Sequence, residues 1–188
     1  MKTNFPLFLS SIFIFVSSSL WAQVPDNPKK LIGKLSLDYA LLGSGDMHTV
    51  RMENALEYRV NPYFTPSVSL GIAKSDRGFY ISSSMIQANA NLFFSPFRND
   101  KPNDFRIGVG FAGMRISDFL ESAQYYENGQ YSYSDYDFRQ ENTYGFNLIL
   151  ENNYQVSTHV LVGLRLNYQL FDSGDQLIGG GINLGFQI

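Results

Sequence analysis

The sequence predicts an all-β chain, an eight-stranded antiparallel up-and-down transmembrane β-barrel, and three observations predict it. The stretch 143–156, TYGFNLILENNYQV, alternates strictly: Tyr144, Phe146, Leu148 and Leu150 point one way, and Gly145, Asn147, Glu151 and Gln155 the other. Successive side chains on a strand point to opposite faces, so this is a strand with one greasy and one polar face. The same pattern recurs along the chain, and its polar face carries too many charges and amides to form a dry core. The apolar face therefore meets lipid, the polar face lines a lumen, and a closed barrel is the strand architecture that a bilayer tolerates. Finally, no run after the first two dozen residues reaches the roughly 18 apolar residues of a spanning helix, so insertion must be by strands.

The chain begins MKTNFPLFLSSIFIFVSSSLWAQ, with Lys2, an apolar run over residues 5–16, a serine-rich region and Leu20-Trp21-Ala22. This is the layout of a secretory signal peptide over residues 1–22, cleaved after Ala22. Residues 23–30 (QVPDNPKK) have two prolines and no periodicity, and read as a short periplasmic tail. The barrel is expected over residues 31–188. With 188 residues, 44% hydrophobic, a net charge of −3 and no cysteine, the composition points away from nucleic acid, disulfides, a lipid-anchored start and thiolate metal sites.

Eight alternating segments follow. In 34–42, Leu35, Leu37, Tyr39 and Leu41 oppose Lys34, Ser36, Asp38 and Ala40. In 49–60, Val50, Met52, Leu56, Tyr58 and Val60 oppose four charges, Arg51, Glu53, Glu57 and Arg59. Segment 65–73 sets Val68, Leu70 and Ile72 against Ser67, Ser69, Gly71 and Ala73; segment 85–94 sets Ile86, Ala88, Ala90, Leu92 and Phe94 against Gln87, Asn89 and Asn91. The fifth runs from Phe105, with Ile107, Val109 and Phe111 outward and Arg106, Gly108, Gly110 and Ala112 inward. The stretch 143–156 is the sixth. In the seventh, Val160 to Leu170 in steps of two oppose Gly163, Arg165, Asn167 and Gln169; in the eighth, 177–188, Ile178, Ile182, Leu184, Phe186 and Ile188 oppose glycines, Asn183 and Gln187. Inward glycines suit a narrow, strongly curved wall.

The connectors 61–64, 95–104 and 157–159 lie at one end; 43–48, 74–84, 117–142 and 172–176 lie at the other. The second set holds the longest, which fits extracellular loops opposite periplasmic turns, although 95–104 is long for a turn. Aromatics gather near both strand ends, as interfacial girdles do. Asn128-Gly129 is a hairpin turn signal. If it is a two-residue turn, residues whose numbers sum to 257 face each other, which sets Arg106 opposite Glu151. A three-residue turn at 157–159 then sets Glu151 opposite Arg165, giving an Arg106, Glu151, Arg165 row in the lumen.

A cleaved signal, about eight amphipathic strands, long loops at one end and the aromatic-bearing final strand GINLGFQI together resemble the small outer-membrane β-barrels of the OmpA-barrel and OmpX kind. The likeness covers nearly the whole mature chain and rests on pattern, with Ile188 standing where the family commonly ends in an aromatic. It implies a porin-like barrel in the outer membrane of a Gram-negative bacterium, and members that act as anchors, adhesins, small pores or subunits of envelope machines.

The inward charges Lys34, Asp38, Arg51, Glu53, Glu57, Arg59, Arg106, Glu151 and Arg165 are nearly balanced in sign, so they are expected to pair in the lumen. They make either a polar plug or a gated ion path. The loop 117–142 carries Tyr125, Tyr126, Tyr131, Tyr133 and Tyr136, amphipathic rings of the kind that contact surfaces use. His48 with nearby Ser44 and Asp46 lacks an acyl-transfer motif, and His159 sits at the opposite turn, so no catalytic residue is expected. Asp135, Asp137 and Glu141 match no cation loop, and no metal or cofactor is expected. The function expected is a non-enzymatic structural or interaction component. Its partners would be outer-membrane lipids and, through the loops, a surface ligand or envelope-complex protein. A narrow passive pore is the alternative.

Overall fold

The alternation builds ten strands among the described residues, and eight of them close on themselves. They are β1 (Leu31–Gly43), β2 (Met47–Tyr58), β3 (Phe64–Asp76), β4 (Ile81–Phe94), β5 (Asn103–Glu121), β6 (Gln124–Glu127), β7 (Gln130–Tyr133), β8 (Tyr136–Gln155), β9 (Val160–Phe171) and β10 (Gln176–Gln187). The computed structural model describes residues 31–43, 47–76, 81–121, 124–127, 130–133 and 136–188, with the side chains of 76, 81, 119–137 and 139 outside that description. The expected signal peptide and tail lie outside the described residues.

The barrel runs β1-β10-β9-β8-β5-β4-β3-β2 and closes between β2 and β1, every pairing antiparallel; β6 and β7 form a separate two-stranded ladder. Closure pairs every strand of the wall on both sides below the loop-end rim, the condition that a bilayer imposes. The register of β5 on β8 is the one a two-residue turn dictates: Phe111 faces Phe146, Val109 faces Leu148 and Arg106 faces Glu151. The same sum holds in the outer ladder, where Glu127 faces Gln130, and Glu151 faces Arg165 across β8 and β9.

The rim at the loop end is oblique. β8 pairs with β5 from Tyr136 to Tyr154, but with β9 only from Gly145 to Gln155, so the β5 and β8 side of the wall stands higher. Most of what reads as loop in 74–84 and 117–142 is therefore strand. At the low side, Gly174 turns the chain between β9 and β10 with a φ of 87°, a left-handed conformation that glycine adopts without strain.

Outward side chains form a continuous apolar belt that includes Leu37, Leu70, Ile86, Phe111, Leu164 and Ile182, all exposed. The long turn 95–104 has a structural reason. Ser95 donates to the Tyr63 carbonyl at 2.8 Å, and the Asn99 side chain reaches the Asn61 carbonyl (2.9 Å) and Thr65 (3.1 Å). Ser95, Asn99 and Asp104 are thereby buried at the turn end. The expectation of an inward face too polar to form a dry core needs correction at the loop end. Ala40, Leu42, Met85, Ala112, Met114, Ile116, Phe171 and Leu177 form one buried apolar cluster at the loop end, with Met47 and Ala73 packed against it.

Candidate functional site: the lumen and the outer hairpin

Strand alternation delivers eight of the nine expected lumen charges, four basic and four acidic, to the inside, where all eight are buried. Nearest the turn end, Arg106 on β5 donates to Glu57 on β2 (2.8 and 2.5 Å) and to Glu151 on β8 (2.9 and 2.6 Å). Lys34 on β1 joins the same group, 2.6 Å from Glu151 and 3.4 Å from Glu57, and donates to Asn153 at 3.2 Å. The Arg106 guanidinium also lies 4.0 Å from the ring centroid of Phe93, a cation–π contact.

The next layer joins Arg165 on β9 to Glu53 on β2 at 2.6 Å, with Ser36 accepting a long bond at 3.4 Å. Asn89 donates to Glu53 and Ser69, and Asn147 to Asn89 and Asn91. Above it, Arg51 binds Asp38 through Nε (3.0 Å) and Nη2 (2.5 Å), and reaches Gln87 and Gln169 at 3.3 and 3.2 Å. Gln87 in turn donates to Gln169 at 2.6 Å. The apolar cluster lies beyond this layer.

The expected Arg106, Glu151, Arg165 row exists as a register, but its ion pairs are distributed differently. Arg165 Nε stands 4.0 Å from Glu151, whereas Glu53 across the barrel holds Arg165 at 2.6 Å. Curvature is the reason: in a narrow barrel a long side chain reaches the opposite wall as readily as its neighbour. Arg106 to Glu57, Lys34 to Glu151 and Arg165 to Glu53 each span three strands, so the charges stitch opposite walls together. Arg59 is the exception, half-buried just past the end of β2, where it interacts electrostatically with Asp104, Glu57 and Asp100. The amides Gln87 and Gln169, which the sequence places inward, join the charge network, whereas the apolar cap was missed, although inward parity marks Met85, Met114, Phe171 and Leu177 equally well.

Of the tyrosines, Tyr126 faces Tyr131 in the outer ladder, Tyr125 faces Ser132, Tyr133 faces Gln124, and Tyr136 opens β8 opposite Glu121. Ser44, Asp46, Asn128, Gly129 and Asp135 lie outside the described residues, as does the side chain of Asp137. Glu141 is half-buried and engaged in an interaction. His48 is on the outer wall, where its Nδ1 shares a 2.5 Å hydrogen bond with the Tyr39 hydroxyl. His159 is bonded to Thr158 at 2.7 Å.

No family model matches the sequence, and no curated protein is similar to it. Solved structures are similar in fold. Neisserial surface protein A (NspA) superposes with a TM-score of 0.63 at 16% identity, over 84% of this chain and 97% of that one. Ail, the attachment invasion locus protein of Yersinia pestis, gives 0.56 at 10% identity over 85% and 99%. The outer membrane enzyme PagL gives 0.52 at 10% identity over 82% and 99%. The chain has the fold of the small eight-stranded outer-membrane β-barrels, a fold that carries both enzymatic and non-enzymatic proteins.

Proposed function

We propose that this chain is a non-enzymatic component of the outer membrane of a Gram-negative bacterium, a barrel that acts through its outer hairpin and not through its lumen. The observation that carries this reading is the filling of the lumen by buried side chains: three bonded polar layers and an apolar cluster at the loop end, with the turn 95–104 hydrogen-bonded to residues 61–65 at the other end. A salt-bridged interior of this kind fills a barrel and fixes its shape. Among the described residues, His48 Nδ1 is bonded to a tyrosine hydroxyl and not to the carboxylate that orients a histidine in acyl transfer, which supports the non-enzymatic reading.

The continuation of β5 and β8 toward the tyrosine-rich stretch, paired out to Glu121 and Tyr136, supports this reading. Purified protein should show no steady openings in single-channel recordings. Replacing residues 123–135 with a short Gly-Ser turn should leave the barrel folded, with its unfolding midpoint unchanged, and abolish crosslinking of an envelope or surface partner in intact cells. Cells treated with protease should be cut near residues 127–130. Steady conductance of the wild type would sink this reading in favour of a narrow passive pore. The pore has one observation on its side. Asn167, Asn183 and Arg165 keep buried polar atoms unmatched by protein partners, beside Gly163, Gly179 and Gly181, and such groups are commonly satisfied by water.

A further inference from the structure

The outer wall is apolar almost throughout, and its two described strand cations fall close together. Lys74 on β3 and Arg115 on β5 are both outward and exposed, both at the loop end. Pairing places them around β4. Lys74 faces Ser84, which faces Ser117; one step nearer the turns, Ile72 faces Ile86, which faces Arg115. With neighbouring strands about 4.8 Å apart, Lys74 and Arg115 begin about 10 Å apart laterally, within reach of a common point over Ser84 and Ser117. Gln140, opposite Ser117 on β8, accepts from Arg115 Nη2 at 2.7 Å and holds the guanidinium in place.

The setting distinguishes these cations from others on the surface. The row that holds Ile72 and Ile86 is the upper edge of the apolar belt, so the pair stands where hydrocarbon gives way to headgroups. The described strand side chains of the outer wall include no carboxylate; Asp76 and Glu121 come farther toward the loops, their side chains outside the description. At the turn end, by contrast, Arg98 is bound to Asp100 at 2.6 Å.

We propose that Lys74, Arg115, Ser84 and Ser117 form a saddle that holds the phosphate of a phosphorylated lipid headgroup in the outer leaflet, with the acyl chains lying on Ile72 and Ile86. A guanidinium matches phosphate oxygens in a fork, an ammonium adds a point charge, and hydroxyls donate the remaining bonds. Basic pockets at the interface of membrane proteins recognise headgroups by this chemistry. The assignment of leaflet rests on the orientation proposed above; the binding chemistry does not.

The test uses the full barrel in dodecyl maltoside micelles doped with a diphosphorylated, hexa-acylated glucosamine disaccharide, or with the same lipid stripped of its phosphates. Native mass spectrometry reads the fraction of barrel that retains lipid. The wild type should retain the phosphorylated lipid at least tenfold better. Lys74→Gln with Arg115→Gln should lose that preference, Lys74→Gln alone should lose part of it, and Lys101→Gln in the far turn should keep it. All are checked for folding by heat-shifted gel mobility. Equal retention of the stripped lipid, or an unchanged preference in a folded double variant, would overturn the proposal. Displacement of the lipid by inorganic phosphate at the same concentration would also overturn it, by showing a free-anion site. Protease cleavage in cells tests the orientation separately, so the two failures are distinguishable.

Discussion

The two ends of the lumen are held differently, although Ile32, Phe93 and Leu161 are buried among the charges of the turn side. The turn-side half is held by Lys34, Glu57, Arg106 and Glu151, in ion pairs that join adjacent strands (Lys34–Glu57, Arg106–Glu151) and cross the barrel (Lys34–Glu151, Arg106–Glu57). The loop end is held by Leu42, Met85, Met114, Phe171 and Leu177, packed on one another. Paired charges taken out of water add little net stability, because desolvation offsets most of their attraction. What they add is definition, since only one arrangement of strands brings four cations to four anions. The apolar cap has no such selectivity, but it gains stability from every contact and excludes water. On the function proposed above, one end specifies the barrel and the other seals it.

That division predicts unequal responses to mutation. The largest effect should come from Glu151→Ala, which leaves Arg106 and Lys34 buried beside a single carboxylate. Breaking a buried pair costs about 3–5 kcal/mol, so urea unfolding in micelles should show a midpoint far below the wild type and below that of Lys34→Met. Equal midpoints for Glu151→Ala and the wild type would mean that the network is hydrated and not structural. In the cap, Leu177→Ala should lower stability by about 2–3 kcal/mol through lost contacts and a cavity. Leu42→Ser with Leu177→Ser should do what no charge substitution does, and admit brief conductance steps. A silent double variant would show that the polar layers seal the lumen unaided.

A third substitution probes the place where charge and backbone meet. Gly181 lies against β1, and a Cβ there would stand 2.1 Å from the Leu37 carbonyl oxygen and 2.3 Å from Asp38 Oδ1. Gly181→Ala should therefore cost about 1–3 kcal/mol by overpacking, and Asp38→Ser in the same chain should deepen the loss, because it leaves Arg51 buried without its carboxylate. An unfolding midpoint unchanged by Gly181→Ala would show that the wall yields at this point.

Much of this was legible in the sequence because alternation is a local signal. Arg51, Glu53 and Glu57 stand out among apolar neighbours, and the 257 sum follows from one Asn-Gly pair. The cap was not legible for the same reason. In Ala40-Leu41-Leu42, Met85-Ile86 and Leu177-Ile178 an inward apolar residue adjoins an outward one, so the period disappears where the lumen turns dry. Partner choice across the lumen was also hidden. Register fixes neighbours on adjacent strands, but the bond from Arg165 to Glu53 depends on barrel diameter, which no pairwise register contains.

The smallest effect belongs to the rim, where the ladder between β8 and β9 stops. Asp172 closes that ladder: its amide donates to the Tyr144 carbonyl at 2.8 Å, and its carboxylate accepts from the Thr143 hydroxyl at 2.6 Å and from the Tyr144 amide at 3.0 Å. These bonds, the Thr143 hydroxyl foremost, hold the Asp172 carboxyl below the ordinary aspartate range even though it stands in water. A folded-state value that is depressed contributes stability above the unfolded pKa, and the contribution is lost as pH falls through the folded value. The Tyr144 amide resonance should therefore titrate in strongly acid solution, at a pH below that of an ordinary aspartate. Asp172→Asn should abolish that titration and leave the unfolding midpoint at neutral pH nearly unchanged, since a solvated surface group is weakly coupled to global stability. If Asp172→Asn lowered the midpoint as far as Leu177→Ala does, the rim would be part of the seal, and the contrast between a specifying end and a sealing end would need a third member.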